Sequence, residues 1–304
     1  MTLSIIIVNY NTFALTSACI SSVLQHVQGL EYEILLVDNA STERPATDFL
    51  ETFPHIQLIQ SPENAGFAKG NNLGLSQARG EYLLLLNSDT ELLDNALSPM
   101  LARMQADPKI GALSCRLIFP DGRVQHVANR FPSLRLELLE LFRGQKLMSA
   151  QKRGKVMQGF FFDHCTRLET DWIWGAFFMT RRAVIDQLPG KKLPDDYFMY
   201  FEDVQWGYQI RKLGYKVVYD PSATVVHHVS GSAGAAPNQE KEVRKLRLIT
   251  QNEMAFLLKE KGRAYVYILY FLRGLKFFSL RKKNFRQKAQ FYFRLLLRNL
   301  HLNA

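Results

Sequence analysis

Ser4-Ile-Ile-Ile-Val8-Asn9-Tyr10-Asn11 contains an unbroken β-branched run that ends on polar residues. A short apolar run of this kind, without alternation, predicts a strand covered on both faces. It has no basic leader and is interrupted at Asn9, Tyr10 and Asn11, which argues against a signal peptide or a membrane span. Working outward, Leu15, Cys19, Ile20, Val23, Leu24 and Val27 recur at helical spacing. Glu33–Val37 and Ile56–Ile59 read as a second and third strand, about Lys69 to Ala78 as a helix ended near Gly80, and Glu81–Leu86 as a very apolar fourth strand. This order predicts a doubly wound, mostly parallel α/β sheet flanked by helices. In such sheets ligands bind beyond the carboxyl ends of the strands, which places attention on Asn9, Asp38, Asn64 and the group Asn87, Ser88, Asp89.

The 304 residues, 47% hydrophobic and 12% aromatic, are enough for one large or two small domains, and exclude a disordered, collagen-like or stapled miniature chain. The net charge of +10 is unevenly placed: residues 241–304 hold 16 Lys+Arg against 3 Asp+Glu, so that segment carries +13 and residues 1–240 carry −3. Cys19, Cys115 and Cys165 are too far apart for a metal-ligand spacing, and read as reduced thiols.

Residues 1–235 are expected to form one domain, with the strand–helix alternation in a first half to about 115 and a second half over 116–235 where no clear period is visible. Residues 143–158 read as basic and mobile, and residues 230–238 as a linker. Residues 236–304 form a basic, amphipathic helical extension: Phe285, Ala289, Tyr292, Phe293, Leu296 and Leu300 share a helical face away from Arg286, Arg294 and Arg298. The apolar run 264–272 is too short to cross a bilayer. With the Lys and Arg that follow, it suits an interfacial segment on an anionic membrane surface; packing of these helices on the catalytic domain or on a second subunit stays open. No nucleic-acid motif is present.

Three elements carry chemistry. Asp38, ending the second strand, is placed to accept hydrogen bonds from a ribose or base edge, although Asp-Asn-Ala-Ser is also turn and N-cap chemistry. Asn64-Ala-Gly66-Phe-Ala-Lys69-Gly70-Asn71-Asn72 combines glycines that permit close backbone approach with a helix start that favours an anion. Asn87-Ser88-Asp89-Thr90 places a carboxylate where it could bind Mg²⁺ or Mn²⁺ bridging a diphosphate, with helix capping the alternative. No GxGxxG follows the first strand, which disfavours a dinucleotide oxidoreductase.

With these motifs the chain resembles glycosyltransferase family 2, of GT-A fold, and within it the rhamnosyltransferase-like subgroup. The resemblance continues through Asp171-Trp172-Ile-Trp174-Gly175-Ala176-Phe177, Tyr197-Phe-Met-Tyr-Phe-Glu202-Asp203-Val204 and Pro221-Ser-Ala-Thr-Val-Val-His227-His228. It implies that Asp38 contacts the nucleoside with Asn9, Asn64 and Asn71 nearby, alongside Gly66 and Lys69. Asn87 and Asp89 correspond to the family's Asp-x-Asp element, and Glu202-Asp203 to its acidic pair, whose second member is taken as the base. His227 sits where relatives supply a further metal ligand, with His228 beside it. Trp172, Trp174, Gly175 and Ala176 would form an acceptor platform, or the two tryptophans simply core. Asn87 replaces a carboxylate, Gln205 stands where an acid is frequent, and Pro194 breaks a customary Asp-Glu.

Displacement of a nucleoside diphosphate by an acceptor hydroxyl asks for one base, for which Asp203 is the candidate, and for stabilisation of the leaving diphosphate. Because no second carboxylate can be placed on the opposite face of the sugar, inversion is expected. The expectation is an inverting, Mn²⁺- or Mg²⁺-dependent glycosyltransferase using a nucleotide-diphospho sugar, best dTDP-rhamnose. Its acceptor would be a lipid-linked or surface polysaccharide at the cytoplasmic membrane face. UDP-hexose or UDP-galactofuranose transfer, a non-catalytic sugar-nucleotide binder, a membrane adaptor and a homo-oligomer remain alternatives.

Overall fold

The computed structural model describes residues 1–229, 239–279 and 290–294. In chain order the elements are β1 (Leu3–Asn9), α1 (Phe13–His26), β2 (Tyr32–Asp38), α2 (Asp48–Thr52), β3 (Gln57–Gln60), α3 (Phe67–Gln77), β4 (Tyr82–Asn87), β5 (Thr90–Leu92), α4 (Leu97–Ala106) and β6 (Ile110–Ile118). They continue with β7 (Ala128–Asn129), α5 (Leu134–Leu141), α6 (Ala150–Met157), β8 (Leu168–Thr170), β9 (Trp172–Ile173), β10 (Phe177–Arg181), α7 (Arg182–Ile185), α8 (Glu202–Lys212), β11 (Lys216–His227), α9 (Gln239–Lys261) and α10 (Arg263–Ser279).

The central sheet runs β3-β2-β1-β4-β10-β6-β11-β5, with β8 also pairing β11. The first four strands are parallel, as their unalternated apolar runs predict, and β6 runs parallel to β11. The mixed α/β sheet, mostly parallel at its centre, agrees with the architecture expected from the sequence. β10 enters antiparallel between β4 and β6. It comes from the stretch that showed no period, because a five-residue strand buried on both faces leaves no alternation to read.

The core lies on both sides of this sheet. Ile5, Ile6, Ile7, Leu35, Leu36 and Leu83–Leu86 are almost entirely excluded from solvent, and α3 closes on one face. At Gly74 of α3, a Cβ would stand 2.4 Å from Ile6 Cγ2, so the helix approaches β1 more closely than any side chain permits.

Contacts divide the chain into two bodies, one of Met1–Asn129 with Asp163–Lys245 and one of Arg130–Phe162 with Leu246–Ala304. The segment 130–162 therefore groups with the tail, a division different from a boundary at 235. Residues 143–158, expected to be mobile, hold a 3₁₀ turn over Gly144–Leu147 and α6, whose Ser149 side chain accepts a hydrogen bond from Lys152 N–H. In the second body α10 packs on α5. Arg273 pairs with both oxygens of Glu253 at 2.6 and 2.9 Å and with Glu137 at 2.5 Å, while Lys276 pairs with Glu137 and Glu140 at 2.5 and 2.7 Å. Tyr292 stacks on Tyr270 and Phe277. Part of the tail's positive charge is thus neutralised inside its own body. No described helix is long and apolar enough to cross a membrane. The linker expected at 230–238, and Phe285, Arg286, Ala289, Leu296, Arg298 and Leu300 of the helical face expected from the sequence, lie outside the described residues.

Gly74→Val should destabilise the protein by about 1–3 kcal/mol, since α3 must lift from β1 to admit the side chain. Urea unfolding measures it, and an unchanged midpoint would show that the helix seats on the sheet more loosely.

Candidate active site

The site starts from strand register. Asn9 stands opposite Asp38, and Val8 opposite Asn87, so the polar residues that end β1, β2 and β4 share one edge. Asn9 Nδ2 donates to Asp38 Oδ1 at 2.8 Å and to Ser41 Oγ at 3.0 Å; Asn9 Oδ1 accepts from the Thr12 and Thr16 hydroxyls. Ser41 N–H donates to Asp38 Oδ2 at 3.0 Å. Asp38 is 5% exposed, and these donors hold both its oxygens in place while leaving each further acceptor capacity.

The glycine loop is built by side chains. Asn39 Nδ2 donates to Asn64 Oδ1 and to the Gly66 carbonyl, and Asn64 Oδ1 also accepts from Gly66 N–H. Gly66 has φ +88° and would place a Cβ 2.3 Å from the Phe198 carbonyl, which accepts from Phe67 N–H. This position tolerates glycine alone. The helix starts at Phe67, two residues before the expected Lys69. Lys69 is exposed on its first turn, whereas Asn71 is buried and donates to the Phe67 carbonyl. The loop is thereby tied to the chain leading into α8, where Tyr200 and Phe201 both adopt left-handed φ, at 65° and 81°. Two consecutive non-glycine residues in that region store strain beside the site.

From this turn α8 begins with Glu202 and Asp203. Burial is the main cause that pushes both carboxyls up from the ordinary range, and the neighbouring Asp203 charge raises Glu202 further. Glu202 is 6% exposed, and its Oε2 is buried without a hydrogen-bond partner. Asp203 keeps part of its surface open and accepts from Val204 N–H and Gly175 N–H, which oppose the rise. Gln205, standing where an acid was expected, donates to Asp196 Oδ2, and the Trp206 indole N–H donates to the Pro194 carbonyl.

The second half of the site depends on β5 pairing antiparallel with β11, His227 opposite Thr90. This brings His227 Nε2 to 3.3 Å from Asp89 Oδ1 and 3.4 Å from Asn87 Nδ2. His228 turns instead toward Glu91, at 3.6 Å. Ala176 O accepts from Asn87 N–H, so the Gly175-Ala176 segment joins Asp203 to the end of β4. Trp174 stands edge-on to His227 with ring centres 6.4 Å apart, whereas Trp172 is held by its β9 pairing with Asn129 and by Gly207 of α8.

Gln125 is the residue that sequence reasoning missed. It is 1% exposed; its Nε2 donates to the His227 carbonyl at 2.7 Å, and its Oε1 lies 2.8 Å from His227 Nδ1. The carbonyl can only accept, so the amide nitrogen must face it and the amide oxygen must face Nδ1. Nδ1 then carries the hydrogen. In that tautomer Nε2 is an acceptor that lies 3.4 Å from the Asn87 Nδ2 donor and 3.3 Å from Asp89 Oδ1, so that two acceptors stand close enough to share a cation. Asn87 Oδ1 is buried nearby without a hydrogen-bond partner. An imidazole nitrogen, a carboxylate and an amide oxygen form a donor set that fits Mn²⁺ or Mg²⁺, although no cluster of three His, Cys, Asp or Glu occurs among the described residues. Gln125 lies 102 positions from His227, with no local pattern to connect them.

Known proteins resemble the chain in sequence and in fold. An N-acetylglucosaminyl-diphospho-decaprenol L-rhamnosyltransferase of Mycobacterium tuberculosis is 27% identical over 219 residues, covering 67% of this chain and 69% of its own. The solved mannosyltransferase PcManGT of Pyrobaculum calidifontis, in complex with GDP-Man and Mn²⁺, superposes with a TM-score of 0.51 at 16% identity over 99% of this chain and 88% of its own. GalNAc-T7, solved with UDP, GalNAc and Mn²⁺, gives 0.55 at 16% identity over 95% of this chain and 55% of its own. At these identities the two structures share the fold. The model of glycosyl transferase family 2 matches residues 4–188, and the chain belongs to that family of glycosyltransferases.

Proposed function

We propose that the protein is an inverting, divalent-metal-assisted glycosyltransferase, with dTDP-rhamnose the preferred donor among nucleotide-diphospho sugars and a hydroxyl of a lipid-linked or surface polysaccharide as acceptor, working at the cytoplasmic face of the membrane. The observation that carries it is the buried Glu202-Asp203 pair at the head of α8, joined through Gly175, Ala176 and Asn87 to the Asp89–His227 pair. The name of the mycobacterial relative, which pairs an L-rhamnosyl group with a diphospho-decaprenol acceptor, supports the choice of donor and acceptor class. UDP-hexose transfer is the second reading, since nothing in the Asp38 or Asn64 contacts selects a sugar.

In the proposed reaction the acceptor oxygen forms a bond to the anomeric carbon as the bond from that carbon to the diphosphate oxygen breaks, and the hydroxyl proton passes to Asp203. Asp203 suits this role because burial raises its proton affinity while the Val204 and Gly175 amides hold the carboxylate in one orientation. Burial and the neighbouring Asp203 charge both raise the proton affinity of Glu202, which opposes a second charge beside the base. Asp38 and the loop around Gly66 hold the nucleotide. Asp89, His227 and Asn87 would hold the metal, which supplies charge neutralisation to the departing diphosphate. A single base without a placed nucleophile predicts inversion of the anomeric centre.

Asp203→Asn should lower transfer at least about 100-fold while sparing donor binding, measured by donor-dependent thermal shift; retained turnover would remove Asp203 from its role. The base acts deprotonated and its pKa is raised, so activity should climb with pH and be lost on acidification well before the ordinary carboxylate range. In a kcat/KM profile with dTDP-rhamnose, the acid limb should lie above about pH 5, and a limb near pH 4 would contradict the buried base. Chelation should abolish donor turnover and Mn²⁺ restore it. Gln125→Leu should weaken Mn²⁺ binding, read by electron paramagnetic resonance, by about 10–100-fold, and unchanged affinity would take His227 out of the metal site.

A further inference from the structure

The second body carries an exposed surface that includes none of the candidate site residues. Among the described residues its segment 142–160 holds the three most exposed large apolar side chains, Leu147 at 91%, Phe160 at 79% and Phe142 at 77%. Soluble surfaces seldom display such side chains this fully, and a concentration of them marks an interaction site. Interspersed with them are Arg143, Lys146, Lys152 and Lys155, all exposed. The two acidic residues of the 130–162 segment, Glu137 and Glu140, are both engaged by Arg273 and Lys276 of α10. The segment therefore faces outward with large apolar groups and cations, while its anions are turned inward.

We infer that residues 142–160 form a docking surface for an anionic lipid bilayer, separate from the last residues of the tail. Phe142, Leu147 and Phe160 would enter the interfacial layer while Arg143, Lys146, Lys152 and Lys155 stay at headgroup level, the arrangement in which amphipathic cationic surfaces bind. The 3₁₀ turn and α6 already fix the backbone of this segment, so little ordering remains to oppose binding. Charge selects the occupant: a second copy would present the same excess of cations, whereas anionic headgroups complement it. The inference rests on the proposal that the acceptor is lipid-linked, and gives that proposal a location on the chain other than the tail.

The test is flotation of the full chain with vesicles of phosphatidylglycerol and phosphatidylcholine, compared with phosphatidylcholine alone. The variants are F142S/L147S/F160S and, for the tail, R281Q/K282Q/K283Q. The serine variant should bind the anionic vesicles at least about tenfold more weakly than wild type. Its donor hydrolysis and thermal midpoint should stay unchanged, and wild type should ignore pure phosphatidylcholine. Undiminished binding by the serine variant with loss in the tail variant would overturn this surface and leave membrane association standing. Failure of wild type to bind would overturn both. Conversion of a wild-type dimer to monomer by the serine substitutions, with vesicle binding intact, would assign the patch to a second copy instead. A second readout avoids the triple change: a tryptophan at position 147 (L147W) should be quenched by brominated lipid, and an unquenched indole would contradict insertion.

Discussion

Parallel pairing of β1 with β2 and β4 is the constraint on which the rest of the site depends. It sets Asn9 against Asp38 and carries Asn87 to the same edge, so that one row of strand ends supplies the hydrogen bonds that orient the Asp38 carboxylate. A slip of one residue would turn every apolar side chain of these strands to the opposite face. With Ile5–Ile7 and Leu83–Leu86 buried between helices, that slip is strongly opposed, and the chemistry at the strand ends inherits the rigidity of the core.

Around that edge the molecule spends polar side chains on holding loops rather than on display. Asn39 and Asn64 close the glycine loop, Asn72 pairs with the Leu193 backbone through both its amide atoms, and Gln125 orients His227. Each satisfies groups that would be costly to bury alone. Among the buried atoms without partners are Glu202 Oε2 and Gln205 Oε1 in the first turn of α8 and Asn87 Oδ1 at the end of β4. Local strain at Tyr200 and Phe201 lies in the same neighbourhood, as expected of a segment held by its surroundings for a purpose.

Much of residues 1–115 was legible because its signals are local. Isoleucine and leucine runs mark buried strands, and the residue after each run marks the ligand edge. Residues 116–235 were less so. β10 is short and buried on both faces, the helical segment over 144–157 is basic with little apolar periodicity, and Gln125 resembles any polar residue between strands. The tail was read as a basic helical extension that suits an anionic membrane surface, with packing on protein left open, and Arg273 and Lys276 pair within their own body with Glu253, Glu137 and Glu140. Those acids lie on α5 and α9, and composition cannot tell a solvated cation from one paired at a distance along the chain.

The sequence alone identified the class of sheet and the strand-end residues, because periodicity and residue type act over a few positions, and it identified the acidic pair at the head of α8 through the resemblance of its motif to those of a known family. Only the tertiary structure decided that His227 rather than His228 faces Asp89, that Gln125 sets its tautomer, and that Asp203 is tied to the strand edge through Gly175. These depend on β5 meeting β11 and on α8 meeting the Gly175 turn. Such pairings join segments far apart in the chain, and their geometry comes from packing, which no local pattern encodes.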